Sequence, residues 1–302
     1  MHFFVEKPVS AFAPNPSSIK RPSRFGAIIG LFILSCALFV SAFAPIVAPF
    51  DPNVGVAPAF SSADEKFLLG TDKLGRDNLS RLTYGLRNLV WIASATALLS
   101  ITIGLFASVT AMLLGGWAKN ALFVLAHAFS TLPALFWGLF FGALWYTPSS
   151  LSLILAMTIP FSGRVFRFCS SETMATALES AHTASKSGSV LLWFRVTGKV
   201  MRRERAFLAA MVGIIFNAAI LVDFTLSFLG LGIQPPHASL GRFFPENVHL
   251  ITFGDLSPVV PFVIVIPLVL SVFILIDYVL RRTGRKLVPS IRTHGPVWDL
   301  QR

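Results

Sequence analysis

The chain has 302 residues, of which 54% are hydrophobic and only 13% are charged. Its mean hydropathy of +0.72 lies far outside the range of soluble domains, which excludes a globular fold built around one water-excluding core. A net charge of +11 would suit a nucleic-acid ligand, but the positive residues form no interleaved basic–aromatic surface. We therefore predict a single membrane domain with short polar tails.

Six long apolar stretches fill most of the chain, and each approaches the roughly 20 residues that a helix needs to cross ~30 Å of hydrocarbon. The stretches do not alternate with period two, so helices are predicted rather than the strands of a closed barrel. The six predicted spans cover residues 25–50, 89–114, 121–145, 151–162, 206–226 and 256–280.

The segments around these spans differ in composition and charge. Residues 1–24 are rich in Pro and Ser and are predicted to form a disordered cytoplasmic tail. The nearly neutral residues 51–87 are predicted to be extracytoplasmic. A five-helix core is expected over 88–282, interrupted by a basic cytoplasmic loop at 164–205, and residues 283–302 form a second cytoplasmic tail.

The distribution of positive residues tests this topology. Of the 25 Lys and Arg residues, 19 fall in alternate segments that include both tails. Lys and Arg accumulate on the cytoplasmic side of inner-membrane proteins. We therefore predict a multi-pass protein of the bacterial inner membrane with both termini in the cytoplasm.

A dense motif precedes the second span, where residues 69–87 read LGTDKLGRDNLSRLTYGLR. Asp72 and Asp77 lie among Arg76 and Arg81, and Gly75 permits a tight backbone turn. Two interpretations remain open. The residues either anchor the outer end of the second span through local ion pairs and turns, or they form a docking or gating surface.

A second motif follows the fifth span, where residues 226–236 read LSFLGLGIQPP. Its glycines permit a helix break or a close approach, and two consecutive prolines cannot continue a helix. A gate that lines the transport route and a plain helix stop with a rigid loop both fit this composition.

Together the two motifs resemble the permease subunits of ABC importers for dipeptides, oligopeptides and nickel, specifically the C-type permease, over residues 25–282. The resemblance implies an all-α fold with six transmembrane helices, the type I ABC importer permease (MetI-like) fold. It also implies an outer gate or structural motif made by Asp72, Gly75, Arg76, Asp77, Arg81, Ser227, Phe228, Gly230, Gly232, Pro235 and Pro236.

The same resemblance implies partners. These are a homologous permease subunit, two ABC ATPase subunits and an extracytoplasmic solute-binding protein. The chain itself offers no nucleotide loop, because the pair Gly198-Lys199 lacks the earlier glycine and is followed by Val200 instead of a hydroxyl residue. ATP and Mg²⁺ are therefore expected on the partner ATPases, with no cofactor or metal and no enzymatic reaction on this chain.

In this family a short helix in the cytoplasmic loop, the EAA motif, seats in a groove of the ATPase. Glu179 stands nine residues before Gly188, which is the spacing of that motif. Ala181, Thr183 and Ala184 between them are small, as close docking requires. The resemblance therefore assigns ATPase coupling to these five residues.

Acidic residues inside apolar helices are costly, so Asp223 and Asp277 should face the bundle interior or water. Asp223 is a candidate for lining the pathway, and hydrogen-bonded helix packing is the alternative. Asp277 stands four residues before Arg281 and is predicted to form an interfacial ion pair with it. The prolines in the third, fourth and sixth spans predict kinks.

The leading function is a peptide permease, and alternatives remain. An ion-coupled carrier would use the two intramembrane acids and need no ATPase. A permease of the same family for nickel, haem or antimicrobial peptides has the same architecture, and an assembly or regulatory membrane protein is a third class.

Overall fold

A computed structural model describes residues 23–114, 116–144, 149–170 and 190–283. Within these ranges the regular structure is helical, and extended backbone pairs only in two isolated bridges. The all-α prediction is confirmed. The helices are α1 (Arg24–Ala42), α2 (Ala44–Val47), α3 (Asn78–Leu114), α4 (Gly116–Thr131), α5 (Ala134–Leu144), α6 (Ser150–Cys169), α7 (Val190–Arg203), α8 (Arg205–Phe228), α9 (Leu240–Asn247) and α10 (Val260–Arg282), with 3-10 turns at Val248–Phe253 and Ser257–Val259.

Five of the described helices are long and apolar enough to cross a membrane, and a sixth crossing is formed if α4 and α5 count as one bent span. This number agrees with the six predicted spans. The third span, however, is not one straight helix over 121–145, because α4 and α5 meet at 85°. Pro133 lies at the break and has no N–H to donate to the carbonyl of Phe129. The indole Nε1–H of Trp137 donates to that carbonyl instead, at 3.1 Å.

Several predicted boundaries move. Helix α3 begins at Asn78, so the helical core starts before residue 88 and takes in the end of the segment 51–87. Helix α6 continues to Cys169, and the predicted loop 164–205 contains α7 as well. The first span is also interrupted, because α1 ends at Ala42 and Pro45 occupies the first turn of α2. Charged residues mark the end of a span predicted from hydropathy, but the helix itself continues through them.

Helix α3 is the centre of the bundle and packs most extensively against α6 and α8, whereas α1 lies on α10 and α3. Close contacts occur at small residues, as expected for helices that associate in lipid. A Cβ added at Gly104 would lie 2.6 Å from Cβ of Val165, and one added at Gly163 would lie 2.7 Å from the carbonyl oxygen of Ala126. These glycines set how closely α3, α4 and α6 approach.

The bundle has two ends, the loop end and the tail end. The loop end carries residues 43–77 and 229–259, together with the first residues of α3, α6 and α10. The tail end carries the start of α1 and the end of α10. Helix α3 runs from the loop end to the tail end, and α8 runs in the opposite direction.

Candidate functional site

The first turn of α3 is capped by the carboxylate of Asp77. Its Oδ2 accepts the backbone N–H of Ser80 at 2.8 Å and the hydroxyl of Ser80 at 2.6 Å. Such a cap satisfies one of the backbone donors that a helix start leaves free. The amide Nδ2 of the next residue, Asn78, donates to the carbonyl of Leu69 at 2.8 Å. The preceding segment is thereby tied to the helix start.

Asp72 organises the turn in front of this cap. Its Oδ1 accepts the backbone N–H groups of Leu74 at 2.8 Å and Arg76 at 2.9 Å. Its Oδ2 receives Nε of Arg76 and Nη1 of Arg81, each at 2.7 Å. These hydrogen bonds compensate the burial of the Asp72 carboxylate, whose side chain is almost fully buried.

The turn is possible only with glycine at its tip. Gly75 has φ +69°, in the left-handed region, and a Cβ there would collide with the carbonyl oxygen of Ala57. The backbone N–H of Gly75 donates to the carbonyl of Asp72 at 3.0 Å. The glycine predicted as a turn residue from its sequence context is therefore required by close backbone contact as well.

Arg81 connects this turn to α9. Its Nη2 lies 2.6 Å from Oε2 of Glu246, whose Oε1 lies 3.1 Å from Nε of Arg242. The alternating charges Arg76, Asp72, Arg81, Glu246 and Arg242 form one continuous series of ion pairs, called the ion-pair chain below. Because the side chain of Arg81 is only 7% exposed, water screens the central pairs weakly.

The second motif ends α8 and folds back on it. Helix α8 stops at Phe228, and Gly230 follows with φ +80°. A Cβ on Gly232 would collide with the buried side chain of Ser227, so this glycine permits the chain to return against the helix. The helix therefore ends before the two prolines, Pro235 and Pro236, that were predicted to stop it.

Hydrogen bonds tie the return loop after α8 to α3 and to α9 at the loop end. The amide Nδ2 of Asn88 in α3 donates to the carbonyl of Ala238 at 2.8 Å. The guanidinium Nη1 of Arg242 donates to the carbonyl of Ile233 at 3.0 Å. The return loop after α8 is thus held by α3 on one side and by the ion-pair chain on the other. Glu246 and Arg242 were missed from sequence, and only their spacing of four residues on a helix could have indicated them.

The two intramembrane acids differ in their position relative to this site. Asp223 is buried one helical turn before Ser227, and among the described residues its Oδ1 has no hydrogen-bond partner. Asp277 lies near the tail end, where its Oδ1 is 2.6 Å from Nε of Arg281. The predicted ion pair is confirmed. The two acids lie towards opposite ends of the bundle, so they do not form one site.

The coupling residues Glu179, Ala181, Thr183, Ala184 and Gly188 lie outside the described residues. Across the ranges that are described, no cluster of His, Cys, Asp and Glu side chains could hold a metal ion. The arrangement at the loop end is therefore one of fixed charges and tight turns, which can hold two segments together.

Residues 100–285 match the family model described as "Binding-protein-dependent transport system inner membrane component". The chain belongs to this family of ABC importer permeases. The match spans the last 15 residues of α3, the bent α4–α5 pair and every later described helix, so it covers most of the bundle and the second motif. The resemblance stated from the two motifs is confirmed, as is a multi-pass permease of the inner membrane.

Curated relatives agree over the greater part of the permease. A di/tripeptide transport system permease protein of Pseudomonas aeruginosa is 31% identical over 230 residues, 72% of this chain and 73% of the relative. A dipeptide transport system permease protein of Haemophilus influenzae is 28% identical over 82% of this chain and 85% of the relative. A putative peptide transport system permease protein of Brucella suis is 30% identical over 72% and 74%.

Proposed function

We propose that this permease is the translocation subunit of an ATP-driven importer that takes up di- and oligopeptides across the inner membrane. The observation that carries the proposal is the family match across the helical bundle, together with relatives named for dipeptide or di/tripeptide transport. The permease pairs with a homologous permease, two ABC ATPases and an extracytoplasmic solute-binding protein. ATP and Mg²⁺ bind to the ATPases, and this chain carries no cofactor and performs no covalent chemistry.

In the proposed topology the loop end faces outward and both termini lie in the cytoplasm. The Lys and Arg distribution supports this orientation. Helix α7 adds to the support, because Lys199 and Arg202 are exposed on a helix that lies next to the tail end of α3 and α8. The coupling residues 179–188 are joined directly to this helix.

A mechanical path from the ATPases to the loop end follows from the packing. Residues 179–188 lie between the end of α6 and the start of α7, and both of these helices contact α3. Helix α3 is uninterrupted over 37 residues and carries Arg81 in its first turn. A helix of that length spans about 55 Å, so a displacement at its tail end moves the ion-pair chain as a rigid body.

In alternating access the permease pair switches between an inward-open and an outward-open state, which differ in their contacts. ATP-driven closure of the motors pushes on the coupling residues 179–188, and the permease pair rocks until the pathway opens outward. A conformational change needs a difference in contact free energy between the two states. The ion-pair chain and the return loop after α8 supply contacts that one state makes and the other loosens, and Asp223 lines the route below them.

Reconstitution with the partner subunits tests this proposal. We expect ATP-dependent peptide uptake into vesicles, and Ala184→Trp should leave ATP hydrolysis running while uptake falls at least tenfold. Gly188→Trp should act in the same way. Ala63→Trp is a matched control, because Ala63 is exposed at the loop end, far from the coupling segment. Unchanged coupling in Ala184→Trp and Gly188→Trp would refute the role of residues 179–188.

An ion-coupled carrier remains the second candidate, favoured by Oδ1 of buried Asp223, which has no hydrogen-bond partner in the part of the chain that the structure describes. It requires uptake by the permease alone, driven by the membrane potential, and loss of that uptake in Asp223→Asn. An importer requires the ATPases and shows no uptake without them. Vesicles that hold the permease alone, energised by a potential, separate the two candidates.

A further inference from the structure

A groove lies beside α1, which itself packs on α10 and α3. At the loop end the groove widens into a cleft of about 780 Å³, lined by the end of α1, by residues 51–53, by α3 between Tyr84 and Ser94 and by His237. A second cavity of about 310 Å³ lies between α1, α8 and α10. Leu38 and Ser94 line both cavities, so the two adjoin at these residues.

The upper cleft carries charges of both signs that are not paired. The Arg87 guanidinium lies 5.9 Å from the centre of the Tyr84 ring, and among the described residues it makes no ion pair. Asp51 lines the same cleft, and its Oδ1 accepts only the local backbone N–H of Asn53, at 2.8 Å. His237 adds a further N–H donor. The cleft thus offers a cationic and an anionic position to one ligand.

The lower cavity is apolar. Its wall is formed by Leu34, Phe216, Val272, Leu275 and Ile276, with Ser94 as the polar group at its upper edge. These residues lie within membrane-spanning helices, whereas Trp91 lines the cleft with 63% of its surface exposed. Tryptophan and tyrosine are enriched where hydrocarbon meets headgroups. The groove is therefore polar at headgroup depth and apolar at acyl-chain depth.

We infer that this groove binds one phospholipid with a zwitterionic headgroup, such as phosphatidylethanolamine. Its phosphate lies at Arg87 and His237, its ammonium faces Asp51, and one acyl chain fills the lower cavity. Arginine recognises phosphate through its planar array of donors. A dipeptide carries the same two charges, but it has no long apolar chain to fill the cavity below.

At this position the lipid stabilises the packing of α1. Only 11% of the residues in the membrane-spanning window of α1 are buried, against 50% in the windows of α3 and α8. A lipid in the groove touches α1 on one side and α8 and α10 on the other, and so adds to the direct contacts of α1 with α10 and α3. This inference goes beyond the transport of peptides and does not depend on which solute is carried.

Native mass spectrometry of the full chain tests the site, after purification in mild detergent and exposure to equal amounts of phosphatidylethanolamine and phosphatidylglycerol. We expect one retained phosphatidylethanolamine, with apparent affinity about tenfold lower in Arg87→Gln because a charge-assisted contact is lost. Arg282→Gln, which removes an exposed arginine at the tail end, is the matched control. Equal retention in Arg87→Gln and Arg282→Gln overturns the inference.

Two further variants keep the test independent of the folding of one mutant. Asp51→Asn should abolish the preference for phosphatidylethanolamine over phosphatidylglycerol, because the ammonium loses its partner. Val212→Phe fills the lower cavity and should lower retention, whereas Val263→Phe on the exposed side of α10 should not. A preference that survives Asp51→Asn, or displacement of the lipid by a soluble dipeptide, contradicts a lipid site.

Discussion

The central position of Arg81 in the ion-pair chain makes a quantitative prediction. Its guanidinium contacts Asp72 Oδ2 at 2.7 Å and Glu246 Oε2 at 2.6 Å, and its side chain is 7% exposed. Removing one partner of a buried pair costs about 3–5 kcal/mol, because the other charge stays buried. After the loss of Arg81, the Asp72 carboxylate still contacts Arg76 and two backbone N–H donors, and Glu246 still contacts Arg242. We therefore expect Arg81→Met to lower the free energy of unfolding by about 2–3 kcal/mol.

A double-mutant cycle isolates the long-range pair. The free energy of unfolding is measured in mixed detergent micelles for Arg81→Met, for Glu246→Gln and for the double variant. Since the two groups are in contact, we expect a coupling free energy of about 1–2 kcal/mol. Arg242→Met serves as the control. Arg242 is the last member of the ion-pair chain, so its substitution should lower the free energy of unfolding by only about 1 kcal/mol. A coupling free energy below about 0.5 kcal/mol would refute a stabilising interaction between Arg81 in α3 and Glu246 in α9.

Four further predictions test single features. Gly104→Ala should lower the melting temperature in detergent, because the new Cβ lies 2.6 Å from a neighbouring Cβ and overpacking costs about 1–3 kcal/mol. Gly198→Ala, which meets nothing within 4 Å inside a helix, should raise it. Asp77→Ala should cost about 0.5–2 kcal/mol of unfolding free energy through the lost cap, and a loss below 0.3 would contradict that cap. Asp277→Asn should cost less than about 1 kcal/mol, because its ion pair is half exposed.

Much of the bundle was predictable because each span is a local property of the sequence. Hydropathy located every described crossing, and glycine at position 75 was correctly interpreted as a turn residue. The start of α3 was missed, since Arg81 and Arg87 lower hydropathy although the capped helix runs on beyond the membrane. The prolines behaved differently from one another. Pro160 and Pro267 stay inside continuous helices, whereas the third span bends sharply at Pro133.

The partners of the motif residues were less predictable, for a physical reason. Asp72, Arg76 and Arg81 lie within one short segment, so their ion pairs follow from proximity in sequence. Glu246 reaches Arg81 across 165 residues, and only the packing of α9 on α3 brings them together. Asp223 was singled out correctly as a buried acid, but its role in the pathway stays a prediction.

The right-angled third span has a geometric consequence for the helices that pack against it. Its arms of 16 and 11 residues measure about 24 and 16 Å, so their outer ends are about 29 Å apart. That distance nearly equals the ~30 Å thickness of the hydrocarbon, so the pair still reaches across the membrane with both arms tilted. Its corner then stands about 13 Å from the straight line between the ends. On the concave side this leaves a recess slightly deeper than one helix diameter, which a straight rod cannot fill along its whole length.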